Sequence, residues 1–170
     1  MIKIITKSEE ETKKFAAKVA KVILRPSEGR SRKEAIVLGL FGDLGAGKTT
    51  FCQGFASGLG ISENIHSPTF VIMKNYKLKA KSYQLIHIDA YRLQNPKELL
   101  DLGWDELIEN PRNIILVEWA DKIQKILPKN YIQVKLEYID KNKRKIFLRS
   151  TPNILKIICQ WKNSNTVNSV

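Results

Sequence analysis

Nine consecutive residues, Gly42-Asp43-Leu44-Gly45-Ala46-Gly47-Lys48-Thr49-Thr50, have the types and spacing needed to hold a polyphosphate. They fit G-x-x-x-x-G-K-[ST], in which glycines accept positive φ angles and let successive backbone N–H groups turn inward around an anion. In that arrangement the stretch from Asp43 to Thr50 lines the phosphates. Lys48 meets the β and γ phosphates, and Thr49 offers its hydroxyl to Mg2+.

This chemistry also requires a carboxylate near the metal, usually at the carboxyl end of an apolar strand beside the loop. Glu118 follows Ile114-Ile115-Leu116-Val117, and Asp89 follows Leu85-Ile86-His87-Ile88. The run before Glu118 is the more continuously apolar, so it is expected to adjoin the loop's own strand and give Glu118 the metal, directly or through water. Asp89 is then the group that orients or deprotonates the attacking water. The sequence also permits the two roles to be exchanged.

Other residues can join them. His87 shares a strand face with Asp89, where it serves either the site or the core. Metal binding by histidine is disfavoured, because the second histidine, His66, is the only other one. Arg92 reaches a phosphate or pairs with Asp89 or Glu98. Ser67 and Thr69 lie in a loop of the kind that senses a γ phosphate, although Ser67-Pro68 also suits a plain turn. Trp119 is either core or a contact for nucleotide or partner.

The flanking elements must put these groups in place. Ala35 to Phe41 is an apolar run suited to a parallel strand buried on both faces. After the loop, Phe51, Phe55 and Leu59 mark one face of a helix that Gly58 and Gly60 are expected to end. Upstream, Ile2 to Thr6 reads as a strand, with Ser8 and Glu11 forming a capping box for a helix whose apolar face is Phe15, Val19, Val22 and Ile23. A polar loop spans 25–31.

Downstream, strands over 70–76 and 83–89 joined by a short basic turn must pair antiparallel. A helix opened by Asn95, Pro96 and Glu98 is expected to bury Leu99, Leu102 and Leu107. A strand from Asn113 to Trp119, a short helix over 121–127 and a hairpin of Tyr131 to Ile139 with Lys145 to Arg149 follow. Ile154 to Trp161 reads as a last helix or strand. The expected architecture is α/β, a P-loop NTPase-like three-layer sandwich with a mixed, mainly parallel central sheet. One domain is expected over 1–160, with a frayed tail over 161–170.

Composition bounds the class. Hydrophobic residues make up 43% of the 170 and charged residues 27%, close to globular averages. No apolar run approaches the roughly 18 residues that span a bilayer, and the acidic residues at 9–11 interrupt any signal peptide. Cys52 and Cys159 show no C-x-x-C spacing and read as reduced thiols of a cytoplasmic protein. The net charge of +12, from 29 Lys and Arg against 17 Asp and Glu, suits a nucleic acid or acidic partner and equally a solvated basic surface.

Four separated motifs now stand in order: the phosphate loop, Ser67-Pro68-Thr69-Phe70, His87-Ile88-Asp89-Ala90-Tyr91-Arg92-Leu93, and Glu118-Trp119. Together they resemble the bacterial TsaE family, also called YjeE, over roughly residues 1–150. The resemblance implies an ATPase that assists TsaB and TsaD in placing a threonylcarbamoyl group on tRNA adenosine without itself transferring the group. It touches tRNA indirectly or weakly. It further implies that Lys48 and the loop amides bind ATP, that Thr49 and Glu118 hold Mg2+, and that Asp89 supports hydrolysis. Ser67, Thr69 and Trp119 fall in family motifs as switch or partner contacts. The absence of an N-K-x-D element favours ATP over GTP. The alternatives are a P-loop small-molecule kinase, which needs an arginine-bearing lid and an acceptor pocket, and a nucleotide-gated binding module.

Overall fold

The computed structural model describes residues 1–24, 33–78 and 83–152, together with Leu155 and Ile158. The polar loop of 25–31, most of the segment of 154–161 and the tail of 161–170 lie outside the described residues.

Seven strands form one sheet. They are β1 (Ile2–Thr6), β2 (Ile36–Phe41), β3 (Met73–Lys77), β4 (Gln84–Asp89), β5 (Asn113–Glu118), β6 (Ile132–Tyr138) and β7 (Arg144–Arg149), in the spatial order β1-β7-β6-β2-β5-β4-β3. The central four, β6-β2-β5-β4, are parallel, and β3, β7 and β1 join at the flanks through antiparallel pairs. The apolar runs account for this order: every residue of β5 is buried, as a strand covered on both faces requires.

Two helices cover one face, α1 (Glu9–Leu24) and α2 (Lys48–Gly58). Ser8 caps α1 by accepting from the Glu11 N–H, while Glu11 reaches back to the Lys7 N–H. Phe15, Val19, Val22 and Ile23 are buried, as their spacing requires. Helix α2 ends at Gly58, as expected, with its cap at Leu59, and Gly60 follows in the left-handed region at φ 84°. Gly54 and Gly58 act in packing: a Cβ on either would fall 2.3 to 2.5 Å from backbone oxygens of Lys13 and Ala17, so the glycines let α1 approach α2. Burying Phe51 and Phe55 beneath that contact contributes about 1.5–3 kcal/mol each.

On the opposite face lie α3 (Lys97–Leu100), α4 (Trp104–Glu109) and a 3-10 helix (Ala120–Ile126) in place of the expected helix over 121–127. The Asn95 side chain accepts from the Lys97 N–H and Glu98 accepts from the Asn95 N–H, so the expected capping contacts are formed, while the helix itself starts one residue later, at Lys97 with Pro96 as its cap. The expected single helix is nevertheless broken at Gly103, φ 84°, which leaves Leu102 exposed and swings Trp104 into the core. The Trp104 indole N–H donates to Ile126 O at 3.0 Å. Strand β3 starts later than the run over 70–76 suggests, because Ile72 sits at φ 62° and Phe70 and Val71 are exposed in the turn before it.

Candidate phosphate-loop site

The loop is set by backbone constraints at its two ends. Gly42 leaves β2 at φ 138°, and a Cβ there would lie 2.3 Å from Leu136 O on β6. Gly47, at φ 97°, is the N-cap of α2, and no side chain among the described residues caps that helix. Its first-turn N–H groups therefore open toward the adjoining cavity, the arrangement that binds anions. That cavity, of about 450 Å3, is lined by Leu44, Gly45, Gly47, Lys48, Thr49, Thr50, Ser67, Thr69, Asp89, Tyr91, Glu118, Trp119 and Arg144.

Lys48 is buried, and its Nζ donates to Gly42 O at 2.7 Å and Asp43 O at 2.9 Å. It also lies 3.6 Å from the ring centroid of Trp119. Burial pushes its pKa below the ordinary lysine value, while the carboxylates of Glu118, Asp121, Asp89 and Asp43 oppose that shift. Trp119 takes this position through a backbone φ of 57°, and such a non-glycine conformation costs on the order of 1–3 kcal/mol. Its ring packs on Tyr91 with centroids 5.0 Å apart.

The register of β4 and β5 pairs Asp89 directly with Glu118, so the two carboxylates stand at neighbouring strand tips. Glu118 adjoins the loop strand, since β5 pairs with β2. Its Oε2 accepts from the Thr49 hydroxyl at 2.8 Å, and its Oε1 lies 2.8 Å from His87 Nε2. Thus His87 turns to Glu118, and its Nδ1 is buried without a partner among the described residues. The Cys52 thiol of α2 lies within 4.8 Å of the Glu118 carboxylate; burial first, then the Glu118 charge, pushes its pKa well up. Thr49 and Glu118 present hydroxyl and carboxylate oxygens side by side, the donor type that a hard divalent cation such as Mg2+ takes.

Asp89 is held differently. Its Oδ2 accepts from Ser67 Oγ at 2.5 Å and Thr69 Oγ1 at 2.6 Å, and its Oδ1 accepts from the Tyr91 N–H at 3.0 Å. Arg92 pairs with neither Asp89 nor Glu98 among the described residues. Its guanidinium lies 4.3 Å from the Phe70 ring centroid instead. Leu44, Phe70, Val71 and Tyr91 are 50 to 85% exposed; Leu44 and Tyr91 line the cavity, and Phe70 and Val71 follow Thr69 along the chain.

Arg144 was not legible in sequence. It starts β7, far along the chain, and reaches the loop because β6 adjoins β2; a Cβ on Gly47 would lie 3.6 Å from its Nε. That Nε is buried and unpartnered among the described residues, whereas Nη1 donates to Asp140 O and Lys143 O. Beside it a second cleft, of about 280 Å3, is bounded by Glu9, Thr12, Gly47, Thr50, Lys141 and Asn142.

A strand that feeds a glycine loop and then a helix, in the middle of a mainly parallel sheet, puts the protein in the P-loop NTPase-like fold class. The chain belongs to the TsaE family, since the profile described as "Threonylcarbamoyl adenosine biosynthesis protein TsaE" matches residues 6–146. Two curated relatives are named "tRNA threonylcarbamoyladenosine biosynthesis protein TsaE". That of Rickettsia felis is 42% identical over 83% of this chain and 75% of its own length. That of Bacillus subtilis is 38% identical over 91% of this chain and 89% of its own. The crystal structure of Bacillus subtilis YdiB superposes with a TM-score of 0.70 at 33% identity, covering 97% of this chain and 95% of that one.

Proposed function

We propose that this protein is a Mg2+-dependent ATPase that acts as an accessory subunit, with TsaB and TsaD, in forming N6-threonylcarbamoyladenosine in tRNA. The observation that carries this reading is the 2.8 Å contact between the Thr49 hydroxyl and the Glu118 carboxylate at the mouth of the loop that bears Lys48. Family membership supplies the pathway.

In this reading the loop N–H groups and the α2 N-terminus bind the phosphates. Lys48 exchanges its carbonyl partners for the β and γ phosphates, which carry more negative charge than Gly42 O and Asp43 O. Thr49 and Glu118 hold Mg2+, which when bound neutralises charge on the phosphate oxygens. Asp89 orients the attacking water, and Ser67 and Thr69 tie its carboxylate to the loop before β3. The nucleoside end occupies the cleft beside Arg144. The exposed Leu44 and Tyr91 line the cavity, and exposed Phe70 and Val71 follow Thr69 in the loop that enters it, which supports docking of a partner there.

Released phosphate measured with Mg2+, with EDTA, and with TsaB and TsaD added tests the reading. The expected result is slow Mg2+-dependent hydrolysis whose rate changes in the presence of the two partners. Transfer of labelled phosphate to a small-molecule acceptor would instead identify a kinase.

A further inference from the structure

The helices cover both faces of β2, β5 and β4, but the outer face of β1, β7 and β6 has no element packed over it among the described residues. Alternation assigns the side chains. Ile2, Ile146, Leu148, Val134 and Leu136 point inward and are buried, whereas Lys3, Lys145, Phe147, Arg149 and Lys135 take the outward positions.

The register turns these positions into a row. Lys3 pairs with Phe147, Phe147 with Lys135, and Lys135 with Phe41 of β2, so cation and aromatic alternate across four strands. Strands lie about 4.8 Å apart, which separates Phe147 and Phe41 by about 10 Å with a lysine between them. Neighbouring rows add Lys145, whose Nζ lies 5.7 Å from the Phe147 ring, and Arg149 opposite Gln133. Glu137 is the one carboxylate of β1, β7 and β6 on this face. It is shared by Lys135 at 2.8 Å and Lys145 at 3.5 Å, and its hydrogen bond holds the Lys135 pKa up.

At the lower end of the same face a cavity of about 400 Å3 opens between Lys129, Tyr131, Gln133, Arg149 and Ser150. The Ser150 hydroxyl is buried with no partner among the described residues, so a donor and acceptor is available inside a basic cleft.

We propose that this face binds single-stranded RNA. Phe147 offers a ring face to a base, with the half-buried Phe41 packed on Tyr131 at the end of the row; Lys3, Lys135, Lys145 and Arg149 meet the phosphates, and Ser150 meets a phosphate oxygen or ribose hydroxyl. An acidic polypeptide would use the cations and leave the rings without a role, whereas an unpaired nucleic acid strand uses both. The overall charge of +12 favours encounter with either, and the interleaved rings select the nucleic acid. The proposal is independent of the ATPase reading, because no residue of the row lines the phosphate-loop cavity.

Fluorescence anisotropy of a labelled 15-nucleotide single-stranded RNA, titrated with the full chain in 50 to 200 mM KCl without nucleotide, tests it. We expect saturable binding whose log affinity falls with log salt at a slope of about −2 to −3, given roughly 0.7 per phosphate contact. Lys3→Gln combined with Lys145→Gln flattens that slope by about 1.4. Phe147→Leu weakens binding about tenfold with the slope unchanged, and Phe147→Tyr restores it. Absence of saturable binding at 50 mM KCl overturns the proposal. So does equal behaviour of Phe147→Leu and Phe147→Tyr when both melt like the parent, since the face would then attract polyanions without stacking bases. Should either Phe147 variant fail to fold, an unchanged salt slope in the Lys3 and Lys145 double variant overturns it independently.

Discussion

Glu118 and Asp89 face each other in register at adjacent strand tips, yet they are built into the molecule in different ways. Glu118 takes its partners from regular elements: Thr49 on α2 and His87 on β4, with the Cys52 thiol within 4.8 Å. Asp89 takes two of its three from the loop before β3, the hydroxyls of Ser67 and Thr69, and that loop runs through exposed Phe70 and Val71 to the left-handed Ile72. One carboxylate belongs to the scaffold, and the other is read by a loop. A frame fixed by core packing suits a group that must keep a constant geometry. A carboxylate tied to a surface loop suits one whose state is communicated outward.

The largest expected effect lies in the element common to both carboxylates. Lys48→Ala removes the charge-assisted contact to the phosphates, and titration calorimetry should show ATP affinity falling by about 100-fold or more. Retained affinity would remove the phosphate loop from the account.

The contrast itself is sharpened by stability. His87→Ala removes the buried imidazole from Glu118, which keeps the Thr49 hydroxyl, and should cost about 1–3 kcal/mol, lowering Tm by about 3–10 °C. Ser67→Ala breaks a bond at the loop and should shift Tm by less than about 2 °C while slowing ATP hydrolysis. Equal melting shifts would abolish the distinction between scaffold and loop.

The smallest effect concerns Cys52. Burial and the Glu118 charge raise its pKa well above the ordinary 9.0, so the folded chain holds this proton more tightly than the unfolded one. Stability from this group is present in full below pH 9.0 and is lost as pH rises above it. In a Cys159→Ser background, thiol reagents at pH 8 should label Cys52 only after denaturation. Rapid labelling of the folded chain would show that the Glu118 frame opens readily.

The parts legible in sequence are those with a local cause. The loop is written in nine residues, its strand and that of Glu118 in apolar runs, and the α1 start in Ser8 and Glu11. Even the adjacency of β2 and β5 followed from the more continuous burial of the Ile114 run. The rest depended on contacts between distant segments. Gly58 ends α2 as its type suggests, but its packing role shows only once the α1 backbone lies against it, and Gly103 breaks an otherwise acceptable leucine period. His87 shares a face with Asp89 and yet bonds Glu118, because side-chain reach across the sheet decides the partner. Arg144 meets Gly47 only through the order β7-β6-β2, which no local pattern encodes.

The central claim is that Glu118, with Thr49, is the metal-side carboxylate and Asp89 the water-side one. A Mg2+ titration of ATP hydrolysis by Glu118→Gln and Asp89→Asn tests it most directly. The account predicts that Glu118→Gln raises the Mg2+ concentration for half-maximal rate about tenfold or more, whereas Asp89→Asn lowers the maximal rate and leaves that concentration unchanged. The reverse pattern would contradict it.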